Sequence, residues 1–294
     1  MKQQNNRLVN TLVRWEVILL LIFIAVIIIN SNLSPYFLDL TNILDATLNF
    51  MEKAIIALPM MFVILCGDID ISVASIMALS SVFMGLASQI GAPTPLLIFI
   101  GLITGLAAGF FNGIIITRFK IPAIAVTIGT MSLYRGIGYV ILGDKAFTEY
   151  PDNFSYFGMG YIGNTYIPFQ LIVFIVLAIF FGILLHKTTF GRKVYAIGNN
   201  ATTARFSGIN TDKIRLIIFS ITGLCSGLAS ILFTSRIAST RPNIAYGWEL
   251  EIITTVVLGG VAISGGSGNI FGVLIAIFML GFMNIESTFK RVVL

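Results

Sequence analysis

Residues 71–117 read ISVASIMALSSVFMGLASQIGAPTPLLIFIGLITGLAAGFFNGIIIT, 47 positions without one charged side chain. As a single helix this stretch would measure about 70 Å at 1.5 Å per residue, against roughly 30 Å of bilayer hydrocarbon. It therefore contains two membrane-crossing helices, and Gly91-Ala92-Pro93-Thr94-Pro95 supplies the turn between them. The second helix carries Gly101, Gly105, Gly109 and Gly113 at intervals of four, which lays a smooth groove along one face where another helix can approach backbone to backbone. Ile103-Thr104-Gly105-Leu106 recurs as Ile221-Thr222-Gly223-Leu224, each followed by a glycine three residues later, a hint of internal duplication.

The rest of the chain has the same character. It is 57% hydrophobic and 11% charged, with mean hydropathy +0.96, far from the roughly one quarter charged of soluble domains. The fold class is all-α, a polytopic transmembrane helical bundle. The apolar runs are too long for outer-membrane strands of about ten residues. The basic residues gather in the N-terminal tail and one loop, as orientation signals do, so the pI near 9.3 argues for no nucleic-acid role. Cys66 and Cys225 lie in apolar spans without metal-ligand spacing and read as packing residues, and His186 reads as a helix-terminal group. Val17 to Ile29 is followed by no small-residue cleavage pattern and forms the first anchor.

Lys2, Arg7 and Arg14 before that anchor place the N-terminus in the cytoplasm. Residues 43–66 form a second span in which Glu52 and Lys53 are awkward, and the cost of buried charge favours a membrane portion starting near Ala54. Ile121 to Leu142 and Ile167 to Leu185 flank an acidic, aromatic external segment, and Leu216 to Phe233 leads out again. The uncharged run Ile252 to Ile285 must break at Gly259-Gly260 and Ser264-Gly265-Gly266-Ser267-Gly268, where backbone freedom is greatest. The count is nine crossings, which leaves Lys290 and Arg291 outside. A tenth crossing after Leu294, or a re-entrant segment at 259–268, would restore the positive-inside balance.

Residues 187–213 form the longest polar interval, and from Lys187 to Arg215 six basic residues face only Asp212. This marks a cytoplasmic loop, and its stretch between Gly198 and Gly208 has the composition of a short docking helix. A second oddity is Cys66-Gly67-Asp68-Ile69-Asp70-Ile71-Ser72-Val73-Ala74-Ser75. One reading is a polar turn with Asp70 or Ser72 capping the next helix; the other is a discontinuous helix lining or hinging a transport path.

The segment GDIDISVASIMALSS resembles the G-G-I-D-L-S-V-G-S signature of the membrane permeases of ribose-type bacterial ATP-binding cassette (ABC) sugar importers. The likeness continues through GFFNGIIITRFKIPAIAVTIGTMSLYRG at 109–136, FGRKVYAIGNNATTARFSGI at 190–209 and VVLGGVAISGGSGNIFGVLIA at 256–276, and it is similar to the autoinducer-2 and rhamnose subgroup. Asp68 stands where the signature has its second glycine, and Ala74 where it has another. The resemblance implies one permease domain over 1–294, about ten spans, and a multi-pass protein of the bacterial cell membrane. It implies a dimer with a second copy or sister permease, an ABC ATPase subunit inside, and an extracytoplasmic solute-binding protein delivering a sugar-like substrate. Within the loop 187–213 it implies a coupling element carried by Gly191, Arg192, Asn199, Asn200, Ala204, Arg205 and Gly208.

No G-x-x-x-x-G-K-[ST] phosphate loop occurs, so ATP is expected on the partner subunit and no cofactor or metal on this chain. No catalytic set accompanies the acids, which speaks against an enzyme. Candidate path or hinge residues are Asp68, Asp70, Ser72, Asn112, Thr130, Gly265 and Gly266, with Thr127 and Ser132 as further polyol contacts. The alternative is a secondary transporter using Asp68 and Asp70 for protons or cations.

Overall fold

The computed structural model describes the backbone of residues 15–292 and the side chains of residues 15–283. All nine apolar segments counted in the sequence are helical. They are α1 (Trp15–Leu33), the pair α2 (Leu40–Thr47) and α3 (Met51–Leu65), α4 (Val73–Gln89), α5 (Thr94–Phe119), α6 (Ala123–Leu142), α8 (Phe169–Lys187), α11 (Thr211–Ile237), α12 (Trp248–Leu258) and α13 (Ile270–Val292). Short α7 (Tyr156–Met159) lies in the segment before α8, and α9 (Thr189–Asn199) and α10 (Ala201–Phe206) fill the polar interval before α11. Five of these helices, α1, α5, α6, α8 and α11, are each long and apolar enough to cross a membrane alone. The chain is a polytopic helical membrane protein.

The bundle is built on α5 and α11, of 26 and 27 residues, each about 40 Å long. They run antiparallel and meet at the glycines. A Cβ on Gly105 would stand 2.8 Å from the Cα of Gly227, and one on Gly109 would stand 2.8 Å from the Cα of Gly223. The two Ile-Thr-Gly-Leu repeats are thus the two halves of one crossing. Lipid tails are as apolar as leucine, so such helices associate through close packing, and only glycine lets these backbones approach this far.

α4 and α3 pack on α11, and α6 closes over α4 and α5. α3 continues through Pro59, and 14 of its 15 residues are buried. α1 lies at the periphery and exposes Leu20, Leu21, Ile22, Ile24, Ile28 and Ile29, as a lipid-facing helix should. Its Trp15 indole donates to the Leu258 carbonyl oxygen at 2.8 Å, seating it against the α12–α13 hairpin.

Two spans are broken. α2 and α3 meet at a 58° bend beside Phe50. The run 252–285 breaks where its glycines are, but its first arm, α12, has only 11 residues and measures about 17 Å, a half-span. α13 then returns past it, and a Cβ on Gly259 would fall 2.6 Å from the Cα of Val273. The side chains of Lys290 and Arg291 lie outside the described residues.

One expectation is corrected here. Glu52 belongs to no exposed lead-in; it is fully buried on α3 and paired with Arg236 of α11 at 2.8 Å, while Lys53 pairs with Glu251 of α12. The acid is tolerated because another helix brings its counter-charge, and the Arg236 guanidinium also lies 5.4 Å from the Phe233 ring centroid.

Two outcomes follow from this packing. Gly105→Leu should cost well over the roughly 1–3 kcal/mol typical of overpacking, read as a large drop in the thermal midpoint of detergent-purified protein. Gly129→Leu, at a position with nothing within 4 Å, should leave that midpoint unchanged. Glu52→Ala should cost about 3–5 kcal/mol by stranding Arg236, and Glu52→Ala with Arg236→Met should recover part of the loss in the same melt.

Candidate functional site

The polar interval folds into two capped helices at one end of the bundle. The Thr188 hydroxyl accepts from Gly191 N at the start of α9, and Asn200 Oδ1 accepts from Thr203 N at 2.9 Å to open α10. The short helix expected between Gly198 and Gly208 is present as α10, and α9 before it is a second helix that the sequence pattern had not indicated. Gly191 lies against the Leu185 carbonyl, where a side chain has no room, and Gly208 ends α10 with φ +83°.

The inner side of this pair is held by three contacts of α9, with Leu65, Gly266 and Gly268. Gly198 packs directly on the Leu65 carbonyl oxygen, and a Cβ there would meet backbone. Gly266 N donates to that same Leu65 oxygen at 2.9 Å. The Tyr195 hydroxyl donates to the Gly268 carbonyl at 2.6 Å, and Gly266 stands against Asn199. Gly265 and Gly266 adopt φ +84° and +76°, which glycine accepts at no steric cost. The last turn of α9 therefore bridges the end of α3 and the break between α12 and α13.

Ala204 faces inward and is buried, and Arg205 is committed to Thr211 at 2.9 Å and to Asp212 at 2.8 Å, with Lys120 on the other carboxylate oxygen at 2.5 Å. Arg205 thereby clips α10 to α11. The outer side carries exposed Arg192 and Asn200, with Phe206 89% exposed beside them, while Asn199, exposed at the edge, turns its side-chain oxygen toward Gly266. Phe206, Tyr195 and Gly198 were absent from the sequence-based candidates. Between Gly198 and Gly208, Phe206 is the single large apolar residue, and that was the signal that could have drawn attention to it.

The two acids of the 66–72 turn go separate ways. Asp68 approaches Arg215 of α11, 2.9 Å from Oδ2 to Nε, close but poorly aligned for a hydrogen bond. Burial pushes its carboxyl up to about 6, against the pull of Arg215. Asp70 is fully buried and its Oδ1 accepts from Ser72 N at 2.8 Å and from Ser72 Oγ at 2.6 Å, a turn lock at the start of α4. Asn112 Nδ2 donates to Ser72 Oγ at 2.8 Å, and the Tyr134 hydroxyl donates to Asn112 Oδ1 at 2.9 Å. Asp70, Ser72 and Asn112 thus form one chain of hydrogen bonds through α4, α5 and α6. Thr130 is buried but bonds only to Thr127 of its own helix at 3.4 Å; Thr127 reaches the Ile69 carbonyl at 3.3 Å; Ser132 stays exposed. The seven path or hinge candidates are therefore not one site, since Asp68, Gly265 and Gly266 lie toward α9 and α10.

Broken spans around buried polar turns, closed by a helical pair at one end, are features shared with membrane transport proteins. The chain belongs to the family described as branched-chain amino acid transport system / permease component, which matches residues 42–292. It is 39% identical over 265 residues to the ribose import permease protein RbsC of Bacillus subtilis (strain 168), covering 90% of this chain and 81% of the relative. It is 36% identical over 275 residues to the ribose import permease protein RbsC of Escherichia coli (strain K12), covering 92% and 84%. It is 32% identical over 275 residues to the autoinducer 2 import system permease protein LsrD of Klebsiella pneumoniae subsp. pneumoniae, covering 92% and 82%. No solved structure matches the chain. These relatives are transport permeases, and neither they nor the divergent contacts of Asp68 and Asp70 support a gradient-driven transporter built on an acid pair.

Asp68 and Arg215 attract only while the carboxyl is ionised, so the pair holds above about pH 6 and is released below it. Solute flux should change as pH falls through that value, and Asp68→Asn should flatten the profile at its low-pH level.

Proposed function

We propose that this chain is the membrane-spanning permease subunit of an ABC importer and forms the translocation path for a neutral, sugar-like solute of the ribose or autoinducer-2 class. It works with a second copy or a sister permease, receives solute from an extracytoplasmic binding protein, and takes its energy from an ATPase subunit that binds ATP. The supporting relatives carry out ribose and autoinducer-2 import by name, at 32–39% identity over nine tenths of this chain.

The N-terminus and the α9–α10 end face the cytoplasm of a bacterial cell in this proposal. The six basic residues between Lys187 and Arg215 support that orientation, as do Lys2, Arg7 and Arg14. The observation that carries the coupling role is the double contact of Gly198 and its neighbours with the end of α3 and with the 265–268 loop. A push on α9 from outside the membrane moves both broken spans together, because glycine leaves no side chain to absorb the displacement. Arg192, Asn200 and Phe206 present the face that meets the ATPase, and Phe206 is the apolar anchor of a surface otherwise polar.

Uptake by proteoliposomes holding the assembled importer tests this. Phe206→Ala and Arg192→Glu should each lower ATP-driven uptake about tenfold or more while membrane levels and the thermal midpoint stay unchanged. Undiminished uptake in both variants would remove α9 and α10 from the coupling role.

A further inference from the structure

A cavity of about 380 Å³ opens where the bent start of α3, the half-span α12 and the return helix α13 meet. That volume lies at the small-ligand end of the usual range of about 300–1,000 Å³. Its walls differ in chemistry. One carries Lys53 and Glu251, ion-paired with side-chain exposures of 21% and 52%, together with Thr254 and Thr255. The other is Phe50 and aliphatic side chains of α13, among them Leu280. The Lys53 ammonium lies 4.8 Å from the Trp248 ring centroid, which holds the pair to the wall. Thr255 turns its hydroxyl onto the Glu251 carbonyl oxygen at 2.7 Å, whereas Thr254 stands on the exposed face of α12.

We infer that this cavity is a binding site for a neutral polyhydroxylated solute on its way through the chain, with Glu251 and Thr254 as its specificity-determining residues. The charges cancel, so a ligand with net charge gains nothing that is not opposed nearby. Carboxylate and ammonium side by side offer acceptors and donors to adjacent hydroxyls, and the apolar wall matches the C–H face of a sugar. The walls are also connected to the far contacts of their helices. α3 runs from Lys53 to Leu65, against which Gly198 of α9 packs, and α12 leads from Glu251 into the glycine loop whose Gly266 and Gly268 meet α9. Movement of α9 changes the spacing of Lys53 and Glu251 and with it the affinity of the site. The inference takes from the import reading only the choice of solute.

Saturation-transfer NMR on the full chain in lipid nanodiscs tests it, with ribose as the probe and leucine, a zwitterion, as the comparator. Ribose should show saturable transfer. Thr254→Val and Glu251→Gln should each weaken it about tenfold, and Leu280→Trp, which fills the cavity, should abolish it. Thr254→Val alters an exposed position at constant shape and so keeps the test clear of misfolding. No saturable ribose signal, equal binding by all three variants, or binding of leucine in preference to ribose would each overturn the site. Ribose binding that is lost in the variants, in a chain that never supports ATP-driven uptake, would keep the site and overturn the import reading instead.

Discussion

The contact between α5 and α11 is the constraint on which the other helices depend. Gly101, Gly105 and Gly109 meet Gly223 and Gly227 with backbone against backbone, and no other residue type fits that spacing. In lipid there is little hydrophobic gain in bringing two helices together, so the stabilisation comes from dispersion over a long, smooth seam. α11 then serves as the axis of the molecule. Near its start Arg215 reaches Asp68 in the turn before α4, and near its end Arg236 reaches Glu52 on α3. A shift at the seam would disturb both ion pairs at once.

Around this axis the interior polar groups are grouped rather than scattered. The chain from Tyr134 through Asn112 and Ser72 to Asp70 ties α6, α5 and the start of α4 together. Each link satisfies a group that would otherwise face hydrocarbon, so the network specifies how those helices are rotated. The two broken spans are treated differently. The irregular backbone between α12 and α13 lies against α9, whose Gly198 and Tyr195 cover it, whereas the bend between α2 and α3 packs its Phe50 on Phe278 and Phe282 of α13. A helix outside the bundle core thus holds the end of α3 and the deformable loop between α12 and α13 together, which is the arrangement a mechanical coupling requires.

Much of this was legible beforehand. The charge-free run 71–117 demanded two helices and a turn, and α4 and α5 flank Gly91 and Ala92. The glycines at 259–268 marked the break, and the repeated Ile-Thr-Gly-Leu marked the crossing, although as one seam and not as two separate units. What failed was pairing. Glu52 was read outward because a lone carboxylate in hydrocarbon is costly, yet Arg236 lies 184 positions away in sequence and beside it in space. Asp68 and Asp70 suggested a shared site by their spacing, but the turn points one toward α11 and the other toward Asn112.

Composition and periodicity alone determined that the chain is a multi-pass helical membrane protein, where its apolar spans lie and where the run 252–285 breaks, and which loop carries the basic residues. These are local properties: the length of an apolar run, the freedom of a glycine, the charge of a loop. Only the tertiary structure decided which charges meet, which polar side chains form one network, and that α9 touches both broken spans. Those depend on the rotation of each helix about its own axis, which is set by the fit of neighbouring surfaces and is written in no single segment.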